Sequence, residues 1–224
     1  MKMIQEIRNW YSGRRLAAGL AAAIGTATIG PSVAQANGPE SPVVHGAAEV
    51  IVGQESGTLD TKILVFDGDL TLFSRDRITE THEDSSIDVY SVSSIAYALG
   101  SGVDFFVEVD AAPGVGLMPR AGIQHFYAGD GFTLFDLLSV PVDGSFDLLH
   151  IGQVTYGTPL SEDLGLATSA ETLTSFSEEG LDFATQRLRL GLDLSCYQIG
   201  TAVDLTETTD EIGANVGGYV GTTF

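Results

Sequence analysis

The chain has 224 residues, with 30 acidic against 10 basic side chains and a formal net charge of −20. A surface so acidic excludes nucleic acid and other polyanions as partners, and a single cysteine, Cys196, excludes an intrachain disulfide. No break in composition divides the chain into two domains.

Lys2, Arg8, Arg14 and Arg15 precede a small-residue apolar run from Leu16 to Gly30, followed by Ala34-Gln35-Ala36. This is the layout of a secretory signal peptide with an A-x-A cleavage site. The run is about 15 residues, short of the roughly 20 that a helix needs to cross a bilayer. Residues 1–36 are therefore expected to be cleaved, residues 37–46 to form a leader, and residues 47–224 to form one domain. Six basic residues then remain against 29 acidic ones.

From there the chain reads as one strand after another. Strands are predicted at 57–66, 70–82, 87–99, 102–112, 115–128, 131–142, 146–157, 163–175, 180–195, 196–207 and 212–224, and 47–54 makes a twelfth. The separators "DGD", "GSG", "APG", "GDG", "DGS" and "SEEG" are hairpin-turn chemistry. Most segments reach ten residues or more. Globular strands average about 5 to 6, whereas a tilted membrane-spanning strand needs about 9 to 11. Even strand counts are the rule for bacterial barrels, so ten or twelve strands are consistent, with twelve favoured.

Alternation is strong. In "QRLRLGLDLSC", Leu188, Leu190, Leu192 and Leu194 share one face, while Arg187, Arg189 and Asp193 share the other. In "GVDFFVEVDAA", Val103, Phe105, Val107 and Val109 oppose Asp104, Glu108 and Asp110. Periodicity alone leaves open which face meets water. A soluble secreted or periplasmic barrel binding an apolar ligand would line its cavity with the leucines; a transmembrane barrel would show them to lipid.

The placement of charge favours the transmembrane barrel. Lys62, Arg75, Arg77, Arg120, Arg187 and Arg189 all fall inside predicted strands, where a soluble domain would put lysine on loops and edges. An arginine facing lipid at mid-depth costs about 2–4 kcal/mol, so these six are expected in the lumen. Unpaired buried ions are expensive. Counter-charge is expected from Asp104, Glu108, Asp110, Glu171, Asp193 and Asp204, in a network crossing the interior. Asp76 shares a face with Leu72, Ser74 and Ile78 and is expected near a membrane interface. Tyr90, Tyr97, Phe126, Tyr127, Phe132, Tyr156, Phe176, Tyr197, Tyr219 and Phe224 fall near strand ends, where interfacial aromatics sit.

The last strand, "IGANVGGYVGTTF", carries apolar residues at alternate positions and ends on Phe224. It resembles the carboxy-terminal insertion signal of Gram-negative outer-membrane β-barrels, although Thr222 departs from the aromatic common two positions before the end. "TLFSRDRITETH", "MPRAGIQHFYAGDGFTLF" and "QRLRLGLDLSCYQIGTAVDLT" are similar to stretches of small, porin-like outer-membrane barrels. The resemblance implies a closed antiparallel up-and-down all-β barrel. It also implies outer-membrane lipids and the barrel-assembly machinery as partners, and a porin-like narrow channel or a structural membrane barrel as function.

No catalytic constellation accompanies it. His45, His82, His125 and His150 match no metal-ligand spacing, and no G-x-S-x-G elbow occurs. Acid pairs such as Asp67 with Asp69, or Glu83 with Asp84, complete no calcium loop. No enzymatic activity, metal or cofactor is expected.

Overall fold

A computed structural model describes residues 42–223, apart from 113–115, 130, 196 and 210. The expected signal peptide, Cys196 and Phe224 lie outside the described residues. Twelve strands follow one another: β1 (Val43–Gly53), β2 (Ser56–Asp67), β3 (Leu70–Thr81), β4 (Ile87–Gly100), β5 (Val103–Ala112), β6 (Gly116–Gly129), β7 (Phe132–Pro141), β8 (Asp147–Pro159), β9 (Gly165–Ser177), β10 (Gly180–Leu194), β11 (Tyr197–Thr208) and β12 (Ile212–Thr223). Each pairs antiparallel with its neighbours in sequence, and β1 closes on β12 through pairs such as Glu49 with Gly221 and Ile51 with Tyr219. Closure leaves no sheet edge to aggregate.

The count of twelve depends on the stretch containing "AAEVIVG", which pairs with both β2 and β12. β1 begins at Val43, four residues inside the expected leader. Strands run from 10 to 15 residues, enough to cross a hydrocarbon layer when tilted.

The hairpins form where the sequence supplies left-handed residues. Gly68 (φ 61°) turns "DGD" between β2 and β3, and Gly102 (φ 77°) turns "GSG" between β4 and β5. At Gly102 an added Cβ would lie 2.6 Å from the Phe126 carbonyl oxygen. Gly102→Ala is therefore expected to destabilise the barrel by about 1–3 kcal/mol, read as a lower urea midpoint in far-ultraviolet circular dichroism. An unchanged midpoint would show that the turn relaxes freely.

In β5 and β10 the two faces separate by exposure. In β10, Leu188 and Leu190 are 48% and 54% exposed on the outside, while Arg189 between them is 9% exposed and faces inward. In β5, Phe105 is 47% exposed and Phe106 fully buried. The soluble alternative, which would line a cavity with the leucines, is therefore not favoured. Tyr97, Tyr127, Tyr156 and Tyr197 are exposed on the outside, in the halves of their strands nearest the barrel end that carries Val43. Tyr90 and Tyr219 depart from the expected girdle: Tyr90 lines the lumen, and Tyr219 is buried against Ile51 and Ala202. Asp76 also differs from expectation. It lies midway along β3 on the outer face, where Ser91 Oγ donates to its carboxylate at 2.6 Å; that bond gives an outward carboxylate a local partner without moving it to a strand end.

In two of the short connections an aspartate takes part in ordinary turn chemistry. The Ser86 amide donates to Asp84 Oδ1 at 2.9 Å, and this backbone bond, with the Ser86 hydroxyl, holds the Asp84 carboxyl below its usual range. Ser145 does the same for Asp143, with hydroxyl and amide both donating.

Candidate functional site: the ion-paired lumen

The inward rows of β1–β3 and β9–β11 bring charge together across the barrel. Glu171 on β9 is the hub. Lys62 Nζ on β2 stands 3.3 Å from Glu171 Oε2, and Arg75 on β3 donates from Nη1 at 3.3 Å and from Nη2 to Oε1 at 3.1 Å. Arg187, on the neighbouring strand β10, bonds the same Oε1. Arg75 also grips Asp60 on β2 in a bidentate fork, with Nε to Oδ1 at 2.9 Å and Nη2 to Oδ2 at 2.5 Å. Such forks fix geometry as well as supply energy.

A second hub is Asp204 on β11. It receives Arg77 Nη2 from β3 at 3.2 Å and Arg189 Nη1 from β10 at 2.6 Å. Arg189 Nε reaches on to Glu49 on β1 at 3.2 Å. Since β3 neighbours neither β9 nor β11 in the sheet, the bonds of Arg75 and Arg77 span the lumen. Five cations here meet four carboxylates, Glu49, Asp60, Glu171 and Asp204, so the cluster carries an excess of positive charge.

Arg120 belongs to a separate cluster on the wall of β5–β9. Its Nε donates to Ser139 Oγ at 2.9 Å, Nη1 to Asp147 Oδ2 at 2.9 Å, and Nη2 to the Ser139 and Asp147 carbonyls. Glu108 and Asp110 stand 3.8 and 3.9 Å from its Nε. One arginine meets three acids, so this cluster is negative in excess. Two members of the expected network stand apart from both clusters: Asp104 faces the lumen but accepts from Gln124 Nε2 at 2.9 Å, and Asp193 lines a cavity. Among the described residues, neither is within ion-pair distance of a cation.

Three carboxylates of these clusters escaped the sequence reading. Asp60 stands two residues from Lys62, and Glu49 stands in the row of Ala47 and Ile51, so strand phase places both inward. Asp147 is the first residue of β8, where phase is weakest.

Two cavities flank the bridging residues. One, of about 430 Å³, lies against β1 and β8–β12 toward the end carrying Ala47 and Thr223; the other, of about 610 Å³, runs beside it along the opposite wall, from Thr71, Ala96 and Phe126 at that same end to Asp88 and Phe183 at the other. Lys62, Arg75, Glu171 and Arg187 line both. They form the partition between them.

The histidines join neither cluster. His150 Nε2 lies 2.7 Å from Asp136 Oδ1, His82 Nδ1 lies 3.3 Å from the Gln54 carbonyl oxygen, and His45 meets Phe66 edge-on with ring centroids 5.8 Å apart. His125 pairs in register with Asp136 on the next strand.

A closed antiparallel barrel that is apolar outside and ionic within has the architecture of the transmembrane β-barrels. No family model matches the chain, and no curated protein matches it. Among solved structures, it is similar to a chain from a study of the in-meso crystallization of membrane proteins (13% identity, 80% of this chain and 83% of that one, TM-score 0.45). It is also similar to the COG4313 outer membrane channel from Pseudomonas putida F1 (7% identity, 88% and 100% covered, TM-score 0.39). A third is the translocator domain of the autotransporter NalP from Neisseria meningitidis (12% identity, 96% and 94% covered, TM-score 0.35).

Proposed function

We propose that the chain is an outer-membrane, porin-like barrel that passes small solutes through a narrow lumen, with Lys62, Arg75, Glu171 and Arg187 as its constriction. In this reading residues 1–36 direct export, and the barrel-assembly machinery reads the last strand ending in Phe224. One observation carries the passage: the lumen is not filled throughout, and the larger cavity runs beside the ion pairs from Thr71 and Phe126 near one end to Asp88 and Phe183 near the other. A barrel of this size leaves only a narrow pore, so the layer of ion pairs sets its selectivity.

The membrane half of the proposal is checked by a boiling-dependent mobility shift on a denaturing gel, together with partition into detergent. The channel half is checked by conductance in planar bilayers. Replacing Arg187 and Arg189 together by serine removes two cations from the region of the constriction, and is expected to raise conductance and shift selectivity toward cations. Equal conductance and selectivity in the wild type and the double variant would remove these arginines from the pathway, and a barrel that never conducts would end the channel reading.

A further inference from the structure

The larger cavity is not ionic on all sides. Beside the partition, its wall is built from Phe73, Val92, Phe135, Leu137, Ile151 and Leu173. Leu137 is packed with Ala96 and Phe106, with Phe135 and Ile151 against them. This apolar surface faces inward in a barrel whose exterior is apolar too, so its burial against a lipid-facing layer does not explain it. At about 610 Å³ the cavity lies within the range of small-molecule sites, which are mostly apolar with a few polar groups that fix orientation.

Those polar groups are present and incompletely satisfied. Arg77 and Arg187 both line the cavity, and Arg77 Nη1 and Arg187 Nε are buried with no hydrogen-bond partner among the described residues. Buried guanidinium donors left unpaired are costly, and a carboxylate is the group that answers them best. The charge balance agrees. Four cations, Lys62, Arg75, Arg77 and Arg187, line this cavity against three acids, Asp88, Glu108 and Glu171. Four of the six basic residues beyond residue 36 thus gather here in a chain of net charge −20.

We infer that the larger cavity receives a small amphipathic carboxylate, its anionic head against Arg77 and Arg187 and its apolar body along Phe135, Leu137 and Ile151. This rests on the reading of the barrel as a passage for small solutes and assigns the class of solute. Glu108 also lines this cavity, and its Oε1 receives no hydrogen bond among the described residues; its negative charge disfavours a second carboxylate and confines the site to monoanions.

The test is a binding measurement that needs no transport: calorimetric titration of 3-phenylpropionate into the full barrel in zwitterionic nanodiscs, with empty nanodiscs as reference. Propionate, which lacks the apolar body, and 3-phenylpropylamine, which reverses the charge, are each expected to bind at least about tenfold more weakly. Arg77→Gln is expected to weaken 3-phenylpropionate by about tenfold. Leu137→Asn, which leaves every ion pair in place, is expected to weaken it as well. Heat-modifiable mobility confirms that each variant folds. Equal binding of acid and amine, tighter binding of the amine, or no saturable binding of the acid would overturn the inference. Binding by a barrel that does not conduct would leave the site standing and end only the channel reading. Conduction without binding would end only the site.

Discussion

Glu171→Ala is expected to lower the unfolding free energy of the barrel by about 3–5 kcal/mol, the range for removing one partner of a buried ion pair. The loss is large because one carboxylate answers three cations, Lys62 from β2, Arg75 from β3 and Arg187 from β10. Asp60 still holds Arg75, but Lys62 and Arg187 are left facing each other and Arg75 with no anion at the centre. Glu171→Gln keeps the shape and one hydrogen-bond acceptor, and is expected to lose somewhat less. Urea titration of the lipid-embedded barrel, read by the fraction of the compact band on an unboiled gel, measures both. A loss of under about 1 kcal/mol, the size of a solvated surface pair, would show that water screens the cluster and that the lumen is wide and wet.

The orientation of the barrel makes a second large prediction, one that depends on depth. Leu188 lies on the outer face in register with Ala170 and Val203, well inside β10. Leu188→Arg is expected to destabilise the barrel by about 2–4 kcal/mol, because a guanidinium at this depth must be held in hydrocarbon. Ile212 is also outward and more exposed, but it opens β12 at the rim, and Ile212→Arg is expected to cost only about 0–1 kcal/mol. In water both substitutions, at exposed sites, would be nearly neutral. Equal small effects at the two positions would therefore remove the barrel from the membrane, whatever its shape.

Much of this was legible in the chain because a strand's side chains alternate with period two. The row of Leu188, Leu190 and Leu192 against Arg187 and Arg189 needs only one further physical step, the cost of a charge in lipid, to fix its direction. Turn residues such as Gly68 and Gly102 mark the hairpins, and segment length excludes an ordinary globular sheet. Alternation was silent where both faces are apolar. In "FTLFDLLSVP" the structure turns Phe135 and Leu137 inward while Leu134 and Leu138 face out, and no pattern of hydropathy distinguishes the two rows. The inner apolar wall was missed for that reason.

The sequence by itself determined a run of ten to twelve antiparallel hairpin-linked strands, with twelve favoured, the side on which the six strand cations lie, and a strongly acidic net charge. It did so because alternation, turn chemistry and net charge are local properties that survive without neighbours. Only the tertiary structure decided that Glu171 gathers Lys62, Arg75 and Arg187, that Arg120 stands in a cluster of its own, and that two cavities meet at a layer of ion pairs. Those facts depend on which strands face each other across a closed barrel, and that is set by the register of every strand pair at once rather than by any one stretch of chain.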